Sequence, residues 1–274
     1  MTDGAHPFRD AASRARPDVL ICAGLDPSGG AGLIADVRVV SELGGRPVGV
    51  TTALTVQNTT AVIDTEAMSV ELIRAQLEFL LSDVEVGAVK IGMIGSSEIA
   101  RSIASALALT NAPVVWDPVI HPSRGDVAFV DSLFGHAIAA LAPHVTLLTP
   151  NAPELAFLTG APIASRADAV AAGQALAGRL SVAVLVKGGH LVASDPASSI
   201  DVLVQPGAAP IELAGRRIER GEHVHGTGCA LSSAIATHLA LGAGLADACR
   251  KAKAYVAARI EHAVSPGRGA AAVV

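Results

Sequence analysis

The chain has 274 residues, room for one large domain or two small ones, and its core must be aliphatic, since 51% of residues are hydrophobic and only 3% aromatic. A net charge of −5 without a basic run argues against a nucleic-acid partner, and no apolar stretch reaches the roughly 20 residues that a membrane helix needs. Cys22, Cys229 and Cys249 form no Cys-x-x-Cys pair, which excludes a disulfide framework and zinc spacing and points to a reducing cytoplasm.

Residues 1–17 are mixed and polar and are read as a flexible leader. No linker or fixed-period repeat interrupts 18–274, which is read as a single domain. In chain order, short aliphatic runs at 19–23, 48–56, 86–91, 113–116, 145–148 and 182–186 alternate with helical candidates at 32–43, 70–81, 97–109, 129–142, 152–158 and 166–180. This alternation predicts an α/β fold with a doubly wound, mainly parallel sheet, which also suits an aliphatic core. After Lys187 the rhythm changes. Short strands are expected at 200–204, 211–213 and 217–218, and two helices, 229–241 and 245–263, close the chain.

Ligands of such sheets bind beyond the C-terminal strand ends. The unusual polar residues fall there: Asp26, Gln57-Asn58, Gly92-Met93, Asp117, Asn151 and Lys187-Gly188-Gly189 follow successive strands. The loop Asp26-Pro27-Ser28-Gly29-Gly30-Ala31-Gly32 contains a loose dinucleotide fingerprint, Gly30-x-Gly32-x-x-Ala35. Gly30 lies too far past the first strand, and the second strand ends without the acidic residue that a ribose requires. An oxidoreductase is therefore disfavoured, and the absence of a Gly-x-x-x-x-Gly-Lys-Ser/Thr loop excludes a P-loop hydrolase. The glycines let backbone approach a small ligand, or simply form a flexible turn.

Gly226-Thr227-Gly228-Cys229 runs into an alanine-rich helix. Free amides at a helix start, with the positive end of its dipole, make an anion hole suited to a phosphoryl group in transit. Cys229 stands in the first turn, where a thiol ionises most easily. The plainer alternative is a glycine turn before a small buried thiol. Asp36 is read as either a solvated charge or a polar group turned back toward the glycine loop, and Gln57 as a strand-end residue or an amide for a heterocycle. Asn151 and Glu154 have capping-box spacing. The competing reading gives Asp117 and Glu154 a magnesium–water shell around nucleotide phosphates. Lys187 is a point-charge partner for a phosphate. His223 and His225 are read as structural, with His225 adjoining the anion hole.

Together these motifs resemble the bacterial hydroxymethylpyrimidine/phosphomethylpyrimidine kinases of thiamine biosynthesis over nearly the whole chain. The similarity runs from Ala23-Gly24-Leu25-Asp26-Pro27-Ser28-Gly29-Gly30-Ala31-Gly32 through Ala35-Asp36, Gln57-Asn58-Thr59, Lys90-Ile91-Gly92-Met93 and Asp117-Pro118-Val119. It continues in Thr149-Pro150-Asn151-x-x-Glu154, Val186-Lys187-Gly188-Gly189-His190 and His225-Gly226-Thr227-Gly228-Cys229.

The resemblance implies a ribokinase-like three-layer αβα sandwich and two successive ATP-dependent phosphorylations of 4-amino-5-hydroxymethyl-2-methylpyrimidine. It implies that Gly24, Asp36, Gln57, Met93 and Val119 line the pyrimidine site. Cys229 would act as base with the amides of Gly226, Thr227 and Gly228, Lys187 and Thr227 would face the nucleotide, and Asp117 and Glu154 would face Mg2+. A cytoplasmic homodimer without nucleic-acid or membrane partners is implied as well. Pyridoxal kinase, of the same fold, and a weakly catalytic ligand-sensing homologue are the alternatives. The chain departs from the family at Ile120-His121-Pro122-Ser123-Arg124-Gly125-Asp126, where Arg124 could replace a lysine charge, at Val224, and at Gly267-Arg268-Gly269-Ala270.

Overall fold

Alternating side chains on the first strand show how the layers form. In β1 (Asp18–Leu25), Leu20 and Cys22 point into one apolar core while Val19, Ile21 and Ala23 point into another. A strand buried on both faces belongs to a parallel sheet covered by helices on each side. The computed structural model describes residues 16–120, 134–189, 198–218, 221 and 223–273. After β1 come α1 (Gly32–Glu42), β2 (Arg46–Gln57), β3 (Val62–Ala67), α2 (Val70–Leu81), β4 (Val86–Ile91), α3 (Ser97–Leu107), β5 (Val114–Trp116) and α4 (Phe134–Leu141). Then follow β6 (Leu147–Leu148), α5 (Ala152–Thr159), α6 (Arg166–Leu180), β7 (Ala183–Val186), β8 (Ser198–Val204), β9 (Ile211–Arg216), α7 (Thr227–Ala240) and α8 (Leu245–Glu261).

These strands form one nine-stranded sheet in the order β3-β2-β1-β4-β5-β6-β7-β8-β9. The pairs β2–β3, β7–β8 and β8–β9 are antiparallel and the other neighbours parallel. Helices α2 to α6 contribute to one core, and α1, α7 and α8 to the other. This is the expected three-layer αβα architecture. Helix α7 sits deepest: Ala230 through Thr237 are all buried. Its alanines and serines suit a helix packed on every side, for it has no face that must stay polar.

Three expectations are corrected. Residues 62–67 form strand β3, which was not anticipated, and 211–216 form one strand where two were expected. Pro17, assigned to the leader, is tied to the sheet, its carbonyl accepting from Arg46 N at 2.9 Å. Residues 1–15 and the helical prediction over 129–133 lie outside the described residues. Ile91, Trp116, Leu148 and Val184 stand level across β4 to β7. The residues that follow the parallel strands thus share one rim.

Candidate active site

The start of α7 is the centre of this rim. Gly226 caps the helix with φ 82° and ψ 3°, a left-handed conformation that favours glycine. A Cβ there would also overlap the Gly30 carbonyl, so the α7 start packs this close to the β1–α1 loop only with a glycine at 226. One residue into the helix, a Cβ on Gly228 would lie 3.1 Å from Asp117 Oδ2 and 3.6 Å from Lys187 Nζ. The first turn of α7 therefore faces the carboxylate after β5 and the ammonium after β7.

Asp117 is buried, and its Oδ1 accepts from Thr149 Oγ1 at 3.1 Å and Lys187 Nζ at 3.2 Å. Burial would depress the Lys187 ammonium, but Asp117 and Glu154 hold it above the usual lysine range. Glu154 makes the capping box read from the sequence: its Oε2 accepts from Asn151 N at 2.7 Å, while Asn151 Oδ1 accepts from Glu154 N at 2.9 Å. Burial, with help from Asp117 and against Lys187, pushes the Glu154 carboxyl up to about 7. The capping reading is borne out, and the same side chain lies near Asp117 and Lys187. Among the described residues no group of three or more His, Cys, Asp or Glu side chains gathers as a metal cage. Two carboxylates of hard oxygen donors are nonetheless a suitable partial set for magnesium, which keeps waters and phosphate oxygens as its other ligands.

Cys229 and Asp36 differ from expectation. Burial pushes the Cys229 thiol up to about 11, with Asp36 and Asp117 adding to the rise, against the pull of Lys90 and a hydrogen bond from the Gly32 amide. Desolvation at this half-buried site therefore outweighs the helix start and the nearby ammonium. Asp36, expected either in solvent or facing the ligand, is fully buried. Its Oδ2 accepts from Lys90 Nζ at 2.5 Å and its Oδ1 from Ser233 Oγ at 2.8 Å. It lies beneath the site, beside Cys229, rather than on its open surface.

At the other end, Met93 packs with Ala53, Val62 and Val119 in a small apolar cluster. A Cβ on Gly24 would come within 2.6 Å of Met93 Cε, the movable end of that side chain, so the two residues adjoin. Thus Gly24, Met93 and Val119 come together, joined by the unforeseen Val62 of β3. Gln57 meets the anion loop instead: its Nε2 lies 3.3 Å from His225 Nε2, which lies 3.2 Å from Asp26 Oδ2. Although burial works against it, hydrogen bonds from His225 and Ser28 hold the Asp26 carboxyl below the usual carboxylate range. Lys90, Thr149, Ser233 and the linking role of His225 were not assigned from sequence. A lysine inside an aliphatic strand was the one available signal for a buried ion pair. His190 and the departing loop at His121 to Asp126, with Ser123 and Arg124, lie outside the described residues.

The family model described as Phosphomethylpyrimidine kinase matches residues 26–274. A Streptomyces coelicolor protein named hydroxymethylpyrimidine/phosphomethylpyrimidine kinase is 38% identical over 253 residues, covering 92% of each chain. Among solved structures, the pyridoxal kinase of Staphylococcus aureus in complex with ADP superposes with a TM-score of 0.84 at 28% identity, covering 95% of this chain and 93% of that one. A phosphomethylpyrimidine kinase of Clostridium difficile superposes with a TM-score of 0.73 at 33% identity, covering 89% and 99%.

Proposed function

Because this chain belongs to the phosphomethylpyrimidine kinase family, we propose that it phosphorylates 4-amino-5-hydroxymethyl-2-methylpyrimidine from ATP and then converts the monophosphate to the diphosphate, as a step of thiamine biosynthesis. The observation that carries this reading is the position of the α7 start. It faces the Asp117–Lys187 pair on one side, and through His225 it adjoins Gln57 on the other.

Phosphoryl transfer asks the protein mainly to position groups and to neutralise charge. The substrate hydroxyl oxygen attacks the γ-phosphorus, the bond to the ADP oxygen breaks, and the hydroxyl proton leaves. Amides of Gly226, Thr227, Gly228 and Cys229, with the dipole of α7, stabilise the charge in transit. Lys187 and Thr227 hold nucleotide phosphate, and Lys187 keeps its charge because of Asp117 and Glu154. Asp117 and Glu154 would hold magnesium, which supplies charge neutralisation on the phosphates. Cys229 Sγ takes the hydroxyl proton when ionised, a state that buried Lys90 favours and burial opposes. Gly24, Gln57, Met93 and Val119 receive the ring, with Asp36 supporting Cys229 and Lys90 from below. We place the enzyme in the cytoplasm as a homodimer, with the described residues from Pro17 onward forming one kinase domain.

The high superposition on pyridoxal kinase favours a second reading, phosphorylation of pyridoxal. A shared fold does not choose the substrate. A coupled ADP-release assay with magnesium ATP, offering hydroxymethylpyrimidine, its monophosphate and pyridoxal separately, decides. Diphosphate formed from both pyrimidines is expected; turnover of pyridoxal alone would replace this reading with the second.

A further inference from the structure

A carboxylate lies among hydrocarbon on β8. Along this strand Val202 and Val204 point into one core and Leu203 into the other, so Asp201 shares the face of Leu203 and is buried with it. Burying a charge is costly unless it is paired and hydrogen-bonded. Asp201 meets each condition with one oxygen: Oδ2 lies 2.8 Å from Lys253 Nζ of α8, and Oδ1 accepts from Gly188 N at 2.8 Å. The lysine side chain is itself only 14% exposed. Its stem passes over Gly215 of β9, where a Cβ would come within 2.7 Å of Lys253 Cε.

Holding α8 on the sheet does not require this pair, because apolar side chains of similar size often do so as well. What they could not do is accept from Gly188 N. The β7–β8 pairing ends at Val186–Val202. Beyond it Gly188 is pressed against β8, where a Cβ would overlap the Ile200 carbonyl. The N–H that Asp201 receives belongs to the planar peptide joining Lys187 to Gly188. With Val186 fixed in the sheet and that plane fixed by Asp201, the backbone is set on both sides of Lys187. From there the Lys187 ammonium reaches Asp117 Oδ1 at 3.2 Å.

We infer that Asp201 is a positioning residue of the nucleotide side: anchored by Lys253, it locks the Lys187–Gly188 peptide so that the Lys187 ammonium is held at the rim for a nucleotide phosphate. This rests on the reading of Lys187 as the phosphate partner. Asp201 acts through a lysine on the neighbouring strand, and Lys253 places α8 behind the same contact.

The test compares two double variants that both lack the ion pair and differ in the acceptor offered to Gly188. Asp201→Asn with Lys253→Met keeps an oxygen there; Asp201→Ala with Lys253→Met does not. Affinity for magnesium ATP, without pyrimidine, is measured by calorimetry below the melting temperature of each variant, and KM for hydroxymethylpyrimidine at saturating magnesium ATP. The Asn double is expected to bind ATP within about threefold of the unsubstituted protein and the Ala double about tenfold more weakly, with the pyrimidine KM within about twofold in both. Asp201→Asn alone keeps the acceptor but leaves Lys253 unpaired, so it should melt lower and still bind ATP within about threefold. A purely structural Asp201 would instead let affinity follow stability. Equal ATP affinity in the two doubles, a loss of about tenfold in Asp201→Asn, or equal losses for nucleotide and pyrimidine each overturn the inference and leave the kinase reading in place. An unsubstituted protein that binds no magnesium ATP overturns both, since Lys187 then has no phosphate to meet.

Discussion

At the scale of single residues, Cys229 is where expectation and structure pull furthest apart. Its place in the first turn of a helix promises an ionised thiol, but burial wins and the thiol rises to about 11. A raised value has two consequences for a general base. Little thiolate is present near neutrality, and each thiolate that forms is a strong base. If Cys229 takes the substrate proton, log kcat of the first phosphorylation should therefore climb by about one per pH unit between pH 7 and 9, since the thiolate fraction grows tenfold per unit below its pKa. Cys229→Ala should abolish the slope and lower kcat on the order of 10²-fold or more. A flat profile in the unsubstituted enzyme, or near-normal turnover by Cys229→Ser, would leave Cys229 as packing alone. The sequence could reveal the residue but not its ionisation, because Asp36, Asp117 and Lys90 surround it only after folding.

At the scale of elements, α5 shows how one side chain can serve a helix and a site together. Glu154 closes the capping box of α5 and lies near Asp117 and Lys187. Its carboxyl, raised from 4.5 to about 7, binds a proton more tightly in the folded chain than in the unfolded one. Below pH 4.5 both forms are protonated; between 4.5 and 7 the folded form alone holds the proton, so this contribution to stability is lost as pH rises through that window. Glu154→Gln keeps a capping oxygen and removes the charge. Without magnesium or nucleotide, the variant should melt roughly 2–6 °C above the unsubstituted protein at pH 8. That gain should vanish by pH 4.5. A variant that melts lower at pH 8 would show that pairing with Lys187 outweighs the burial cost.

Elements themselves were legible in proportion to their pattern. The amphipathic helix α2, the aliphatic strand β4 and the capped helix α6 fall where periodicity puts them. Strand β3 escaped notice because Val-Ile-Asp-Thr-Glu-Ala carries two acids and, on the sheet edge, buries only Val62. The site was legible where a motif lies within one turn, as at Gly226 to Cys229 or Asn151 to Glu154. It was illegible where partners come from distant segments, as with His225 and Asp26, separated by 199 residues.

At the scale of the whole molecule, the Lys90–Asp36 pair ties the layers together. Lys90 belongs to the sheet, Asp36 to α1, and Ser233, which donates to Asp36, to α7. Both charged side chains are fully buried. Gly92 leaves room for the ammonium, since a Cβ there would come within 2.7 Å of Lys90 Nζ. Burial alone would discharge the lysine; Asp36, with Cys229 and Asp117 further off, holds it above its usual range. The pair is thus an interlayer contact and also the charge beneath the proposed phosphoryl-binding turn. Removing one partner strands the other in a dry interior, which costs about 3–5 kcal/mol. Lys90→Met should therefore lower the urea midpoint severely. Lys90→Met with Asp36→Asn should recover most of that loss, because an amide still accepts from Ser233 and no charge is left unpaired. The recovered double variant would remain poorly active, since the ammonium that favours ionised Cys229 is gone. Single and double variants of equal stability would mean that the pair does not act as a unit. A stable double variant with full turnover would separate the interlayer contact from the chemistry above it.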